Sequence, residues 1–144
     1  MAGIKPHIST GFSFETQEET LDIKPSSARL TIGIPKETAL QENRVSLIPE
    51  AVNVLVNNGH EVVMETTAGE GSKYSDQDFS DAGAQIVLKK KDVYKSPVLI
   101  KSAPVMEDDL PFLQLNQTII SPINISMLKK GFVEKMMEKL KGTF

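Results

Sequence analysis

No cysteine occurs anywhere in the chain. That excludes a disulfide framework, a thiolate nucleophile and cysteine-ligated zinc, and nothing points to an oxidising compartment. No apolar run approaches the roughly 20 residues that span a bilayer, and the N-terminus lacks the basic-then-apolar order of a secretory leader. A cytoplasmic protein is therefore expected. An excess of basic charge is missing too. Sixteen Lys and Arg face nineteen Asp and Glu, the net charge is -3 and the pI is near 5.4. The basic runs carry no interleaved aromatics, so neither nucleic acid nor an anionic membrane surface finds an electrostatic footprint. Several reactive signatures are likewise absent: there is no G-x-S-x-G elbow and no phosphate-binding P-loop. His60-Glu61 would begin a zinc helix only with histidine at position 64, which is Met64, so no metal site is expected.

What is present is one domain's worth of ordinary chain: 144 residues, 40% hydrophobic and 24% charged. Residues 1 to 29 mix Gly, Ser, Thr and Glu without periodicity, and Glu15, Glu18 and Glu19 argue against an organellar transit peptide. We read them as a flexible arm, with Phe12 and Phe14 as its apolar points, and residues 30 to 144 as the domain.

From Leu30 onward the pattern is regular. Leu30 to Ile34 reads as a short buried strand. Pro49 at a first-turn position opens a helix with the stripe Val52, Leu55 and Val56, stopped at Asn57-Asn58-Gly59. Glu61 to Glu65 is a second strand, and Ser75 with Asp78 forms a capping box for a short helix ending at Gly83. Gln85 to Leu88 is a third strand, and Lys89 to Lys91 reads as a solvated face. Pro97 to Lys101 and Gln117 to Ser121 flank a polar helical piece near Glu107 to Leu113. A last helix begins near Ser126 and carries Leu128, Phe132, Met136 and Leu140 at four-residue spacing. Strands alternating with helices specify an α/β fold, a parallel sheet with helices on both faces. Lys141-Gly142-Thr143-Phe144 reads as a helix stop followed by the start of another strand, so a truncated chain is expected.

Open α/β sheets bind ligands beyond the carboxyl ends of their strands, which directs attention to the polar residues there. Arg44 is one of only two arginines, and it follows the first strand in a Glu/Asn-rich loop. Its guanidinium offers a planar fork that fits a carboxylate, which a lysine cannot copy. Lys101 closes the fourth strand, and Asn124 lies three residues past the fifth run. Together they form a recognition set: Arg44 and Lys101 for a small carboxylate, Asn124 for a carbonyl or hydroxyl. The competing reading pairs Arg44 with Glu42 or Glu37 on the surface and lays Lys101 along it with its ammonium in water. Gly69-Glu70-Gly71-Ser72 stands between a strand and a helix, as a dinucleotide fingerprint does, but the third glycine is replaced by Tyr74. A tight connecting loop is expected there.

Gly33-Ile34-Pro35-Lys36-Glu37, Glu42-Asn43-Arg44-Val45, Asn58-Gly59-His60-Glu61-Val62, Ala68-Gly69-Glu70-Gly71-Ser72, Tyr74-Ser75-Asp76 and Ala82-Gly83-Ala84 follow one another in a specific order. In that order and spacing the chain resembles the N-terminal lobe of alanine dehydrogenase and of the α subunit of nicotinamide nucleotide transhydrogenase. The resemblance implies a substrate lobe of a Rossmann-like oxidoreductase that interconverts L-alanine and pyruvate plus ammonia, with the corresponding lobe of a transhydrogenase α subunit, or a non-catalytic binding or assembly module, as the alternatives. It also implies NAD held mainly by a second lobe, a homo-oligomer, and no activity from this segment alone. It assigns the substrate carboxylate to Arg44. The family's substrate lysine stands two residues before a proline; Lys101 stands three before Pro104, and Ser102 takes the matching place. Where alanine dehydrogenases carry a histidine acid/base, this chain has Ser121-Pro122-Ile123-Asn124-Ile125. Asn124 can donate a hydrogen bond but cannot shuttle a proton.

Overall fold

A computed structural model describes residues 28–123, 129 and 131–141. Most of the expected arm, together with Asn124, Ser126 and Leu128, lies outside the described residues.

Among the described residues nine strands and α-helices follow one another: β1 (Thr31–Ile34), α1 (Pro49–Asn57), β2 (Glu61–Glu65), α2 (Asp76–Asp81), β3 (Gln85–Val87), α3 (Lys90–Val93), β4 (Val98–Ile100), β5 (Thr118–Ile120) and α4 (Phe132–Lys141). The five strands form one parallel sheet in the order β3-β2-β1-β4-β5. Alternation along the strands divides the core in two. Ile34, Val62 and Met64 face one side, against Val52 of α1 and Phe79 and Ala82 of α2. Val63, Val87, Leu99 and Ile119 face the other, against Val93 and Tyr94 at α3, Leu113 and Phe132 of α4. Because both faces are covered, the strands are apolar nearly throughout instead of alternating with polar residues.

Local signals in the chain explain the element ends. Pro49 occupies the first turn of α1, where its missing N–H costs nothing, and Gly59 leaves the helix at φ 88°. Ser75 accepts from the Asp78 amide while the Asp78 carboxylate accepts from the Ser75 amide, so the capping box forms as expected. Gly33 is needed for a different reason. A Cβ there would come within 2.7 Å of the Val93 carbonyl oxygen and 2.9 Å of Ser96 Oγ, so glycine lets the end of α3 settle directly on β1.

Two elements differ from expectation. Lys90 and Lys91, read as part of a solvated face, lie in the short helix α3, because Val93 and Tyr94 just beyond them are apolar anchors that pull the turn onto the sheet. The polar piece after β4 is a 3-10 helix over Glu107–Phe112 with Pro111 inside it, a residue that lacks the N–H a regular α-helix would use.

The strand order changes direction between β1 and β4. The chain works outward from β1 through β2 to β3, then returns to add β4 and β5 on the opposite side. The carboxyl ends of β1 and β4 therefore flank the position where sheets of this kind open a crevice.

Candidate functional site

Four segments meet at the carboxyl edge of the sheet: Lys36 to Ser46 after β1, Thr66 to Ser72 after β2, Lys101 to Ala103 after β4, and the 3-10 helix containing Asp109. A polar cavity of about 180 Å³ opens between the first two, lined among others by Lys36, Glu42, Asn43, Arg44, Thr67 and Gly71.

Arg44 lies on the rim of this cavity with its side chain 77% exposed. Nε and Nη2 donate to the two oxygens of Glu42 at 2.9 and 2.7 Å, and the Arg44 amide donates to Glu42 Oε1 at 2.9 Å. The expected surface partner is thus Glu42. These hydrogen bonds from Arg44 hold the Glu42 carboxyl far below its usual range, at about 2, so the pair is ionised at any working pH. The neighbouring turn anchors the loop's backbone. Ser72 Oγ donates to the Asn43 carbonyl at 2.9 Å and accepts from the Val45 amide at 3.0 Å, gripping the chain on both sides of Arg44. A Cβ on Gly71 would lie 2.6 Å from the Asn43 carbonyl oxygen.

Gly69 and Gly71 therefore serve packing between two loops. At Gly69 a Cβ would overlap the Phe79 ring, so the missing side chain lets the turn pack directly on α2. Glu70–Ser72 is a 3-10 turn and Tyr74 stands in place of the third glycine, so the segment lacks the glycine-to-helix junction of a dinucleotide fingerprint.

Lys101 is placed quite differently from Arg44. Its side chain is 1% exposed, with Nζ 3.0 Å from Glu37 Oε2 and 3.2 Å from Asp109 Oδ2. The contact with Glu37 is ionic and off the axis of a hydrogen bond, since Glu37 Oε2 has no aligned donor. Glu37 Oε1 accepts from the amides of Ser102 at 2.6 Å and Ala103 at 3.2 Å. One carboxylate from the end of β1 thus ties down the end of β4. Ser46 Oγ adds a second tie, to the Ile100 carbonyl at 3.0 Å. Instead of lying along the surface with its ammonium in water, Lys101 plugs the switch-point crevice.

Asp109 completes this buried cluster. Its Oδ1 lies 2.6 Å from Lys90 Nζ and accepts from Tyr94 OH at 2.8 Å, and its Oδ2 accepts from the Met106 amide at 3.0 Å. Burial alone would raise the Asp109 pKa; the Lys90 and Met106 hydrogen bonds and the Lys101 charge outweigh it and hold the group below its usual value. Burial and the adjacent carboxylate push the Tyr94 phenol well above its ordinary range, so it acts as a fixed donor.

Of the three residues expected to share a site, Arg44 and Lys101 lie on the same edge of the sheet, joined through Glu37, which both lines the cavity and holds Lys101. A ligand in the cavity meets the Arg44 fork directly, but reaches Lys101 only by displacing Glu37. Asn124 falls outside the described residues. The accessible ammonium at the cavity is Lys36, which the sequence reading assigned no role; its Nζ donates to Thr67 Oγ1 at 2.6 Å. Its signal was its position, two residues past the end of β1. Asp109 carried no comparable signal, since Glu107, Asp108 and Asp109 look alike in sequence, yet the first two are exposed and the third is buried. Among the described residues no group of three His, Asp or Glu side chains could hold a metal ion, and no helix is long and apolar enough to cross a membrane.

The described residues form a doubly wound parallel α/β lobe with an anchored arginine fork at its carboxyl edge. Residues 33–143 match the family described as alanine dehydrogenase/PNT, N-terminal domain, and the chain belongs to that family. It is 36% identical over 101 residues to alanine dehydrogenase 2 of Staphylococcus aureus (strain USA300), and 37% over the same length to alanine dehydrogenase of Staphylococcus epidermidis. Each match covers 70% of this chain and 27% of the relative, so the chain spans little more than a quarter of those proteins. Among solved structures it is similar to an L-alanine dehydrogenase, with TM-score 0.73 and 34% identity over 76% of this chain and 30% of that one. It is also similar to a transhydrogenase from Sinorhizobium meliloti, with TM-score 0.61 and 28% identity over 65% of this chain and 28% of that one.

Proposed function

We propose that these 144 residues form the substrate-side lobe of an alanine-dehydrogenase-like oxidoreductase, acting on a small 2-oxo or 2-amino acid such as pyruvate or L-alanine. The observation that carries this reading is the Arg44 guanidinium, held at the carboxyl edge of the sheet and open to a cavity sized for a small molecule. Arg44 takes the ligand's carboxylate, and Lys36, which shares the cavity, is the cation available to its second polar group. Lys101 acts at one remove, by fixing Glu37 and the ends of β1 and β4. Asn124 supplies a hydrogen bond from the loop after β5. The NAD that such a reaction uses is held by a part of the complete enzyme outside these residues, in keeping with the closed Gly69 to Ser72 turn. The complete enzyme works in the cytoplasm as a homo-oligomer.

The test is pyruvate titration, followed by NMR, into the wild type and Arg44→Ala. Binding that disappears in the variant supports the clamp; equal affinity in both ends it. With L-alanine and NAD supplied, this segment alone is expected to form no NADH.

The second reading, a lobe of a transhydrogenase, is favoured by one observation: the loop Ser121-Pro122-Ile123-Asn124-Ile125 carries no histidine to move a proton. Such a lobe has no need of an amino-acid pocket, so pyruvate binding through Arg44 discriminates between the two.

A further inference from the structure

We infer that Glu42 is a positioning residue for Arg44: it holds the guanidinium by its side edge and leaves the end-on pair of nitrogens free to receive a ligand carboxylate. This rests on Arg44 being the carboxylate clamp. A guanidinium has five N–H donors, one on Nε and two on each Nη. Glu42 takes one from Nε and one from Nη2, which form the side edge. Three remain: both on Nη1 and the second on Nη2. One from each points end-on, in the parallel geometry a second carboxylate requires.

The two members of the pair differ in exposure. The Glu42 side chain is only 13% exposed and is fixed a second time by the Arg44 amide, whereas the Arg44 side chain is 77% exposed. The anchor is thus partly enclosed and the fork is presented. Ser72 completes the arrangement by gripping the backbone on either side of Arg44.

An alternative role for Glu42 is that of a competitor, an internal carboxylate that occupies the arginine or repels an incoming anion. Magnitudes favour positioning. Two carboxylates on adjacent edges of one guanidinium are still several ångströms apart at an exposed site, where repulsion weakens binding by roughly threefold or less. An unrestrained arginine must give up the freedom of a long side chain on binding, which costs roughly tenfold or more in affinity. Geometry adds that Glu42 does not use the end-on edge.

The experiment follows pyruvate affinity and the Arg44 Nε–H resonance by NMR in the full 144-residue chain. In the wild type that proton is expected to be shifted downfield and slow to exchange. Glu42→Gln keeps an oxygen for the Arg44 amide but loses the charge and one acceptor for the fork; Glu42→Ala loses both acceptors. The expected results are an Nε–H resonance that moves towards that of a free arginine in both variants, and pyruvate binding weakened about tenfold in Glu42→Ala and less in Glu42→Gln. Backbone amide spectra report whether each variant remains folded, and Ser72→Ala, which loosens the same loop without touching the fork, should also weaken binding. Unchanged or tighter pyruvate binding in folded Glu42→Ala overturns the positioning role. If Arg44→Ala binds as well as wild type, the clamp itself fails; if Arg44→Ala loses binding while Glu42→Ala does not, only the role of Glu42 fails.

Discussion

Replacing Asp109 by Asn changes one atom and removes one charge from a buried cluster. Asp109 is fully buried, and its two oxygens meet four donors: Lys90 Nζ and Tyr94 OH at Oδ1, the Met106 amide and Lys101 Nζ at Oδ2. An asparagine must place its NH₂ towards one of those sets. Turned towards Met106 and Lys101, it faces two donors that cannot accept. Turned the other way, it can donate to Tyr94 OH but still opposes the Lys90 ammonium. Lys90 is partly exposed and can swing to water; Lys101 is 1% exposed and cannot, so it keeps Glu37 as its remaining counter-charge. Removing one partner from a buried ionic group costs about 3–5 kcal/mol, a large share of the ~5–15 kcal/mol that stabilises a domain. With a urea slope of about 2 kcal/mol/M, the unfolding midpoint should fall by roughly 2 M. Urea titration followed by circular dichroism measures it, alongside Lys101→Met and the double variant. Coupling is expected, with the double variant less destabilised than the sum of the singles by at least ~1 kcal/mol. A midpoint shift under about 0.5 M, or additive single effects, would show the cluster to be no stronger than surface ion pairs and would refute the reasoning.

Acid should weaken the same contact. Because the folded-state pKa of Asp109 is depressed, its contribution is complete above the unfolded value near 4 and is lost as pH falls through the lower folded value. Wild type and Asp109→Asn should thus differ in stability by a constant amount from neutrality to about pH 5 and converge below about pH 4; a difference that grows in acid would contradict the assignment. Gly71→Ala should be destabilised by about 1–3 kcal/mol, since the new methyl meets the Asn43 backbone and not a movable side chain. The displaced loop carries Arg44, so thermal unfolding and pyruvate titration should both register the change, and a variant normal in both would show that the turn is not a platform for the arginine.

Much of this architecture is legible in the chain because its signals are local. Pro49, Gly59, the Ser75 and Asp78 pair and Gly83 each act through their own backbone, and the helix and turn they specify appear where expected. The apolar runs at β1, β2 and β4 hold similarly: a parallel strand covered on both faces needs little but continuous apolar side chains. The short helix α3 differs from expectation because four residues give no helical period, and its apolar anchors, Val93 and Tyr94, stand only at its end. At the site, the exposed Arg44 and its Glu42 partner lie two residues apart and were visible as a pair.

The composition and order of residues by themselves determined the parallel α/β class, the ends of α1 and α2 and the arginine at the carboxyl edge, since each depends on spacing within a single segment. Only the tertiary structure decided that Lys101 is enclosed and Lys36 exposed, that Asp109 differs from Asp108, and that the two glycines of the Gly69 to Ser72 turn support the Arg44 loop. Those outcomes depend on which segments meet across the sheet. Glu37 and Ser102 are 65 residues apart, Asn43 and Ser72 are 29 apart, and burial changes what a charged side chain can do only once such partners are in place.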